Sequence, residues 1–254
     1  SSEIGLFDLF PFTEEATILD LSDFDAPAGT PLADALDLHD IILEIDNKSM
    51  TNRPDLWGHY GIAREIAALY DLPMNPLPPF DRNVENTAGL TITVEDSDRC
   101  PRMTGTQIEG LSVKPAPYWM RSRIWKVGMR PINALVDITN YVMLATGQPS
   151  HAYDSDHIAG HIIVRRAEEN ETLKLLNGKD LPLNTDDLVI ADDEGAVGLA
   201  GVMGGAKDSI LPDTNKVILE IADFESYGIR RTALRYDNRT EASARYEKAI
   251  DPER

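Results

Sequence analysis

Between His161 and Phe224 the chain passes through four runs of strand character, HIIVRRA, DLVIADD, AVGLAGVMGG and KVILEIADF, parted by turn-forming residues at short intervals. Short β-branched and apolar runs bounded by Gly, Asn and Asp read as strands. They must bury their apolar faces against other strands or helices. Upstream, LTITVED over Leu90 to Asp96 alternates with period two and predicts a half-buried strand, and MTGTQIEGL predicts a second. Pro115 to Val127 reads as a helix ended by Gly128. A further helix carries Pro131 in its first turn and is capped by Gly147, with Ile132, Leu135 and residues 138–142 as its buried side. Helices packed on several short strands predict an α+β fold with a layered or barrel-like sheet, closed by a helical segment within residues 226–249.

The part before residue 82 differs. Residues 1–45 are acidic (Glu14, Glu15, Asp20, Asp23, Asp25) and rich in turn formers, which predicts short strands and one short helix. Residues 55–71 read as a helix, with Leu56, Ile62, Ile66 and Leu69 on one face and Asp55 as N-cap. PMNPLPP, Pro73 to Pro79, holds four prolines in seven residues and predicts a linker. The expected division is therefore a small N-terminal α/β piece, 1–82, and a layered α+β domain, 83–254.

Composition removes several classes. A net charge of −19 argues against a general nucleic-acid binder, whose footprint is basic, although one local patch can still be positive. The single cysteine, Cys100, excludes a disulfide framework and a Cys-based zinc site; it predicts a buried thiol and a cytoplasmic setting. No apolar run approaches the roughly 18 residues of a membrane span. The first residues, SSEIGLFDLF, have no basic region, so they do not read as a signal peptide, and without an initiator Met the sequence reads as an excised piece.

Few motifs carry chemistry. GAVGLAGVMGG lacks G-x-G-x-x-G and the Lys-Ser/Thr of a P-loop; it reads equally as a bulged strand or as a pocket wall approached closely by a ligand. His151, Asp154 and His157 do not match a standard zinc spacing. No nucleophile motif is present. Trp119, Arg121, Arg123, Trp125, Lys126 and Arg130 suit either phosphate contact or a solvated helix face, and so do Arg230, Arg231 and Arg235. Glu220 interrupts the apolar run VILEIADF: alternation would put it on the solvent face, whereas burial would demand partners. Asn140 interrupts its helix in the same way.

Several stretches together resemble the beta chain of bacterial-type phenylalanyl-tRNA synthetase: TNRPDLWGHYGIAREIAAL, GMRPINALVDITNYVMLATGQPSHAYD, LVIAD, GLAGVMGG, VILEIADF and RTEASARYEKAIDP, in that order. The resemblance implies that 1–82 is part of a split structural domain. It implies that 83–254 is an editing domain, of a fold shared with lysidine synthetase, that hydrolyses mischarged Tyr-tRNA(Phe). The full enzyme is a ligase for phenylalanyl-tRNA aminoacylation in protein biosynthesis. It uses ATP and Mg, binds tRNA(Phe) and assembles two alpha with two beta chains; this piece is expected to need no cofactor or metal. Carried over residue by residue, the site comprises His151, Asn140 and Thr139 for catalysis, and Glu220, Ala200, Gly201, Leu199, Ala152 and Tyr153 for the tyrosyl substrate. Arg121, Arg123, Lys126 and Arg130 are the candidate tRNA contacts. The alternative is a non-catalytic tRNA- or protein-binding scaffold.

Overall fold

The computed structural model describes residues 5–10, 13, 17–78, 89–207 and 209–253. They divide into two units, 1–47 with 114–141 and 48–113 with 142–254. The boundary expected at residue 82 lies outside the described residues, as do Glu14 and Glu15; the two units are cut at other positions. Six α-helices are described: α1 (Leu32–Ala35), α2 (His59–Tyr70), α3 (Tyr118–Lys126), α4 (Ala134–Thr146), α5 (Ser226–Arg235) and α6 (Glu241–Tyr246). Ten strands accompany them: β1 (Ile92–Val94), β2 (Arg102–Glu109), β3 (His151–Asp154), β4 (Ile162–Arg166), β5 (Thr172–Lys174), β6 (Asp180–Pro182), β7 (Leu188–Asp192), β8 (Gly195–Leu199), β9 (Met203–Gly204) and β10 (Lys216–Asp223). The fold is α+β.

The first unit packs around Leu6, Leu9, Phe10 and Leu36, against which Phe24 and Tyr118 rest. Tyr118 stands edge-on to Phe24 at 4.7 Å between ring centroids, and its hydroxyl donates to the Leu36 carbonyl at 2.6 Å. Of the elements expected in 1–45, the helix forms as α1, but no strand occurs there among the described residues. Asp25, Pro27, Gly29 and Pro31 punctuate the stretch too densely for a ladder, and the apolar residues reach the core from turns.

Helix α4 begins later than Pro131. Asn133 starts it, its side-chain oxygen accepting from Leu135 N and Val136 N at 3.1 Å each, while Gly147, at φ +82°, ends it with its N–H on Met143 O. The buried side expected for this helix holds only in part: Thr139 is buried. Ile132 and Ile138 are nearly half exposed, because the inward row runs instead through Asn133, Asp137, Met143 and Gly147.

In the second unit, a 3-10 turn over Pro54–Trp57 precedes α2. Asp55 sits in that turn and does not cap the helix; Gly58 does. The Asp55 carboxylate instead receives Arg53 in a two-pronged pairing, at 2.9 Å on each oxygen, and Arg64 at 2.7 Å, which together hold its pKa well below the usual carboxylate range.

Strands β1, β4, β7, β8 and β9 form one sheet in that order; β1 runs parallel to β4 and the other pairs are antiparallel. A second sheet has the order β2-β10-β3, with β10 antiparallel to both neighbours, and β5 pairs β6 in a third. Ile162, Val164, Leu175, Val189 and Val197 form the dry centre of the core, which Phe224, Ile229 and Tyr246 extend towards α5 and α6. The strands expected from His161 onward all form, and β7 is buried at every position, as its uninterrupted LVIAD pattern requires.

One buried charge ties the start of β7 to α5. Asp187, fully buried, accepts from the Thr232 hydroxyl at 2.8 Å, the Tyr236 hydroxyl at 2.5 Å, Asn184 N at 2.9 Å and the Arg235 guanidinium. Removing it strands a buried donor set at once. Asp187→Ala is therefore expected to lower the unfolding free energy by about 3–5 kcal/mol, as read from urea denaturation followed by circular dichroism.

Candidate functional site

Strand β10 is the centre of its sheet, and its register with β3 sets Glu220 opposite His151 and Ile218 opposite Tyr153. Cross-strand partners and residues two apart share a face. His151, Tyr153, Ile218, Glu220 and Ala222 thus point one way. Ile221, on the other face, is 41% exposed, whereas Glu220 is 5% exposed. The solvent-face reading of Glu220 is overturned: the strand puts its carboxylate on the core side.

A buried carboxylate needs partners. Tyr153, 2% exposed, donates its hydroxyl to Glu220 Oε2. The Tyr153 ring stands edge-on to the His151 imidazole at 4.5 Å between centroids. Together these three side chains form one wall of a cavity holding about 440 Å³ of empty space, part of it open to solvent. The glycine-rich run from Gly198 to Gly204 lines it as well, together with Phe224 and Tyr246. The run is therefore a pocket wall, and two of its glycines are required. Gly201 turns the chain between β8 and β9 at φ +65°, where a Cβ would also lie 2.9–3.1 Å from Ile229, Phe224 and Tyr246. At Gly204 a Cβ would come within 2.6 Å of the His151 ring, so the imidazole rests on bare backbone.

The expected site residues are thus sorted by geometry. His151, Tyr153, Leu199, Ala200, Gly201 and Glu220 line the cavity. Ala152 does not: alternation carries it to the other face of β3, where it pairs in register with Leu219. Thr139 and Asn140 belong to the first unit, and the Thr139 hydroxyl donates to Val136 O of its own helix at 2.7 Å.

Most of the candidate cations have structural partners. Arg121 donates to Leu9 O at 2.9 Å with its guanidinium 5.4 Å from the Phe10 ring centre. Lys126 reaches Asp37 O and Asp40 at 2.8 and 2.9 Å. Arg123 donates to the Tyr141 hydroxyl at 2.9 Å with its guanidinium 5.4 Å from the Trp119 ring centre, and Arg130 lies 3.8 Å from Asp8. Arg231 pairs Asp186 and Arg235 pairs Asp187, while Arg230 is exposed. Asp154 binds the Thr214 hydroxyl and lies 3.9 Å from His157. No group of three or more His, Cys, Asp or Glu among the described residues is placed to hold a metal ion.

Two buried groups report the Glu220 charge, and a third, Asp223, answers to other neighbours. Burial, with Glu220 and Asp223 adding to it, pushes the Cys100 thiol up to about 12. Burial and the Glu220 charge raise the Tyr246 phenol well above its ordinary value. Asp223, at the end of β10, is pushed up to about 6 by burial, with Asp251 adding to it, and its Oδ1 has no hydrogen-bond partner. Gly204, Phe224, Tyr246 and Asp223 escaped the sequence reading. Tyr246 sits in a short helix whose Thr240–Ser243 capping box was the one available cue.

Residues 99–254 match the model of the B3/4 domain. The chain belongs to the B3/4 domain family. Curated relatives are phenylalanine--tRNA ligase beta subunits. That of Solibacter usitatus is 42% identical over 231 residues, 91% of this chain and 30% of the relative. That of Pectobacterium atrosepticum is 42% identical over 255 residues, 99% of this chain and 31% of the relative. The chain thus corresponds to part of such a beta subunit and spans about a third of the length of these relatives. Among solved structures, an N-terminal fragment of the phenylalanyl-tRNA synthetase beta subunit from Pyrococcus horikoshii aligns at TM-score 0.43 and 20% identity, covering 72% of this chain and 56% of the other. The glycine-rich wall, β3 and β10 all lie inside the matched B3/4 region.

Asp223 supplies a pH test of this packing. Its pKa rises on folding from 3.8 to about 6, so its favourable contribution is complete below 3.8 and lost as pH climbs through about 6. Asp223→Asn, neutral at every pH, is expected to gain thermal midpoint over the parent chain progressively from pH 4 to pH 7. Calorimetry across that range checks it; a constant difference contradicts it.

Proposed function

We propose that the cavity is a hydrolytic editing site that takes the tyrosyl end of a mischarged tRNA(Phe) and cleaves its ester. One observation carries the reading: a carboxylate, Glu220, lies buried on the wall of a cavity that the glycine-rich run Gly198–Gly204 also lines. An aromatic ring fits against the small residues of that run, Gly198, Ala200, Gly201 and Gly204, and the carboxylate selects a ring that bears a hydroxyl. Phenylalanine and tyrosine differ by that group alone. A site built to hydrogen-bond a hydroxyl rejects the analogue lacking it far better than an apolar pocket rejects an added hydroxyl.

Glu220 has the capacity for this. A carboxylate offers about four acceptor sites, so a second phenol can join the Tyr153 hydroxyl already on it. A hydrogen bond to a charged group contributes roughly 1.5–3 kcal/mol. Ester cleavage then requires a positioned water and stabilisation of the oxyanion. His151, on the same wall, is the side chain placed to hold that water, and Gly204 fixes its ring. Thr139 and Asn140 carry no step in this scheme.

The partner class follows from the substrate. The chain would act within a full phenylalanine--tRNA ligase, beside an alpha chain that does the aminoacylation with ATP and Mg. The acidic balance of −19 means that tRNA must be brought by other parts of that assembly rather than by long-range attraction to this piece.

The test is deacylation of Tyr-tRNA(Phe) and Phe-tRNA(Phe), with binding of free tyrosine and phenylalanine measured by calorimetry as a second readout. The tyrosyl ligand is expected to be preferred in both. Glu220→Ala should cut that preference by about ten- to a hundredfold, the equivalent of one charged hydrogen bond. An unchanged preference in the variant overturns the reading.

A further inference from the structure

The bond between Tyr153 and Glu220 has a consequence for selectivity that the cavity alone does not. We propose that the Tyr153 hydroxyl is a resident phenol that keeps Glu220 hydrogen-bonded whichever amino acid enters, and so sets how strictly the site tells tyrosyl from phenylalanyl. The inference rests on the reading that Glu220 recognises the tyrosyl hydroxyl. It concerns a specificity-determining role, not a step of the hydrolysis.

The geometry begins with the sheet. Tyr153 pairs in register with Ile218, so Glu220 is its diagonal neighbour, two residues along the adjacent strand and on the same face. That diagonal is within reach of long and aromatic side chains. Both side chains are almost wholly buried, and both line the cavity. The phenol of Tyr153 is chemically the same group as the side chain that the site is proposed to select. It donates to the same carboxylate that would receive the ligand.

Two ligands then meet two different carboxylates. When a phenylalanyl side chain fills the cavity and excludes water, Glu220 keeps the Tyr153 bond among its interactions. The penalty that would otherwise reject phenylalanine is softened. When a tyrosyl side chain enters, its hydroxyl adds to Glu220 beside Tyr153, and two phenols then share one carboxylate, so each bond contributes less than it would alone. Deleting the Tyr153 hydroxyl raises the stakes on both sides. Phenylalanine then leaves Glu220 one bond poorer in a dry site, and tyrosine restores that bond. The ring itself is held by His151 edge-on and by its burial, so Tyr153→Phe removes the hydroxyl and little else.

The experiment compares affinities for free tyrosine and free phenylalanine in the parent chain, Tyr153→Phe, Glu220→Gln and the double variant. Tyr153→Phe is expected to raise the tyrosine-over-phenylalanine ratio by roughly tenfold, the worth of one hydrogen bond to a buried charged group. The same change in the Glu220→Gln background is expected to move the ratio much less. A ratio that stays level or falls in Tyr153→Phe overturns the inference. If the ratio in Glu220→Gln equals that of the parent, the underlying recognition by Glu220 is what fails. A readout on the unaltered protein covers the case in which the variant does not fold. With ring-carbon-labelled tyrosine in the chain, the Tyr153 resonance next to its hydroxyl should move when free tyrosine is added and stay in place with phenylalanine. Equal movement with both ligands, or none with either, refutes the role of Tyr153.

Discussion

A carboxylate carried on the inner face of a central strand dominates this molecule. Placing Glu220 between Ile218 and Ala222 in β10 costs desolvation that a well-packed hydrophobic residue would avoid. The surrounding structure answers that cost in detail. Tyr153 arrives from β3 with a hydroxyl, His151 comes into register opposite, and the glycine-rich run lines the same cavity. The neighbouring ionisable groups feel the same field, Cys100 and Tyr246 both being held further from ionisation by Glu220. A polar group retained in such a place is poor evidence for stability and better evidence for a task.

The same logic separates the chain's two kinds of buried charge. Asp187 is saturated by four donors and anchors a helix to a strand; nothing in its surroundings is left open to a ligand. Glu220, by contrast, borders empty space. Asp55 belongs with Asp187: its arginines staple the chain entering α2 and leave no role for it as a helix cap. Burial and pairing alone therefore do not mark a functional carboxylate. Adjacency to the cavity is what sets Glu220 apart from these two.

Much of the second unit was legible in the sequence because its local signals agree. Period-two runs bounded by Gly and Asp became strands within a residue or two, and Gly147 stands at positive φ just past a helix end. Elsewhere the local signals misled or left the outcome open. Ile132 and Ile138 were placed inward because apolar residues usually are, yet the helix phase is set by Asn133, Asp137 and Met143. Glu220 looked solvent-facing because alternation says which residues share a face but not which face is wet. Ala152 was grouped with its neighbours by resemblance, and the pleat then divided them. The arginines and lysine of α3 suit phosphate by composition, and sequence alone does not show that Arg121 and Lys126 also bond Leu9 O, Asp37 O and Asp40. Tyr153 and Glu220 lie 67 residues apart, and only the register of β3 on β10 joins them.

Cys100 has a practical side. The thiolate is the reactive form of cysteine, and a thiol held near 12 inside the core supplies almost none of it at neutral pH. The chain's single native sulfhydryl is thus chemically silent towards maleimides and mild oxidants. A cysteine introduced on any exposed strand or helix would react alone, and so the fold comes ready for attaching a fluorophore or spin label at one chosen point without first removing the residue nature put there.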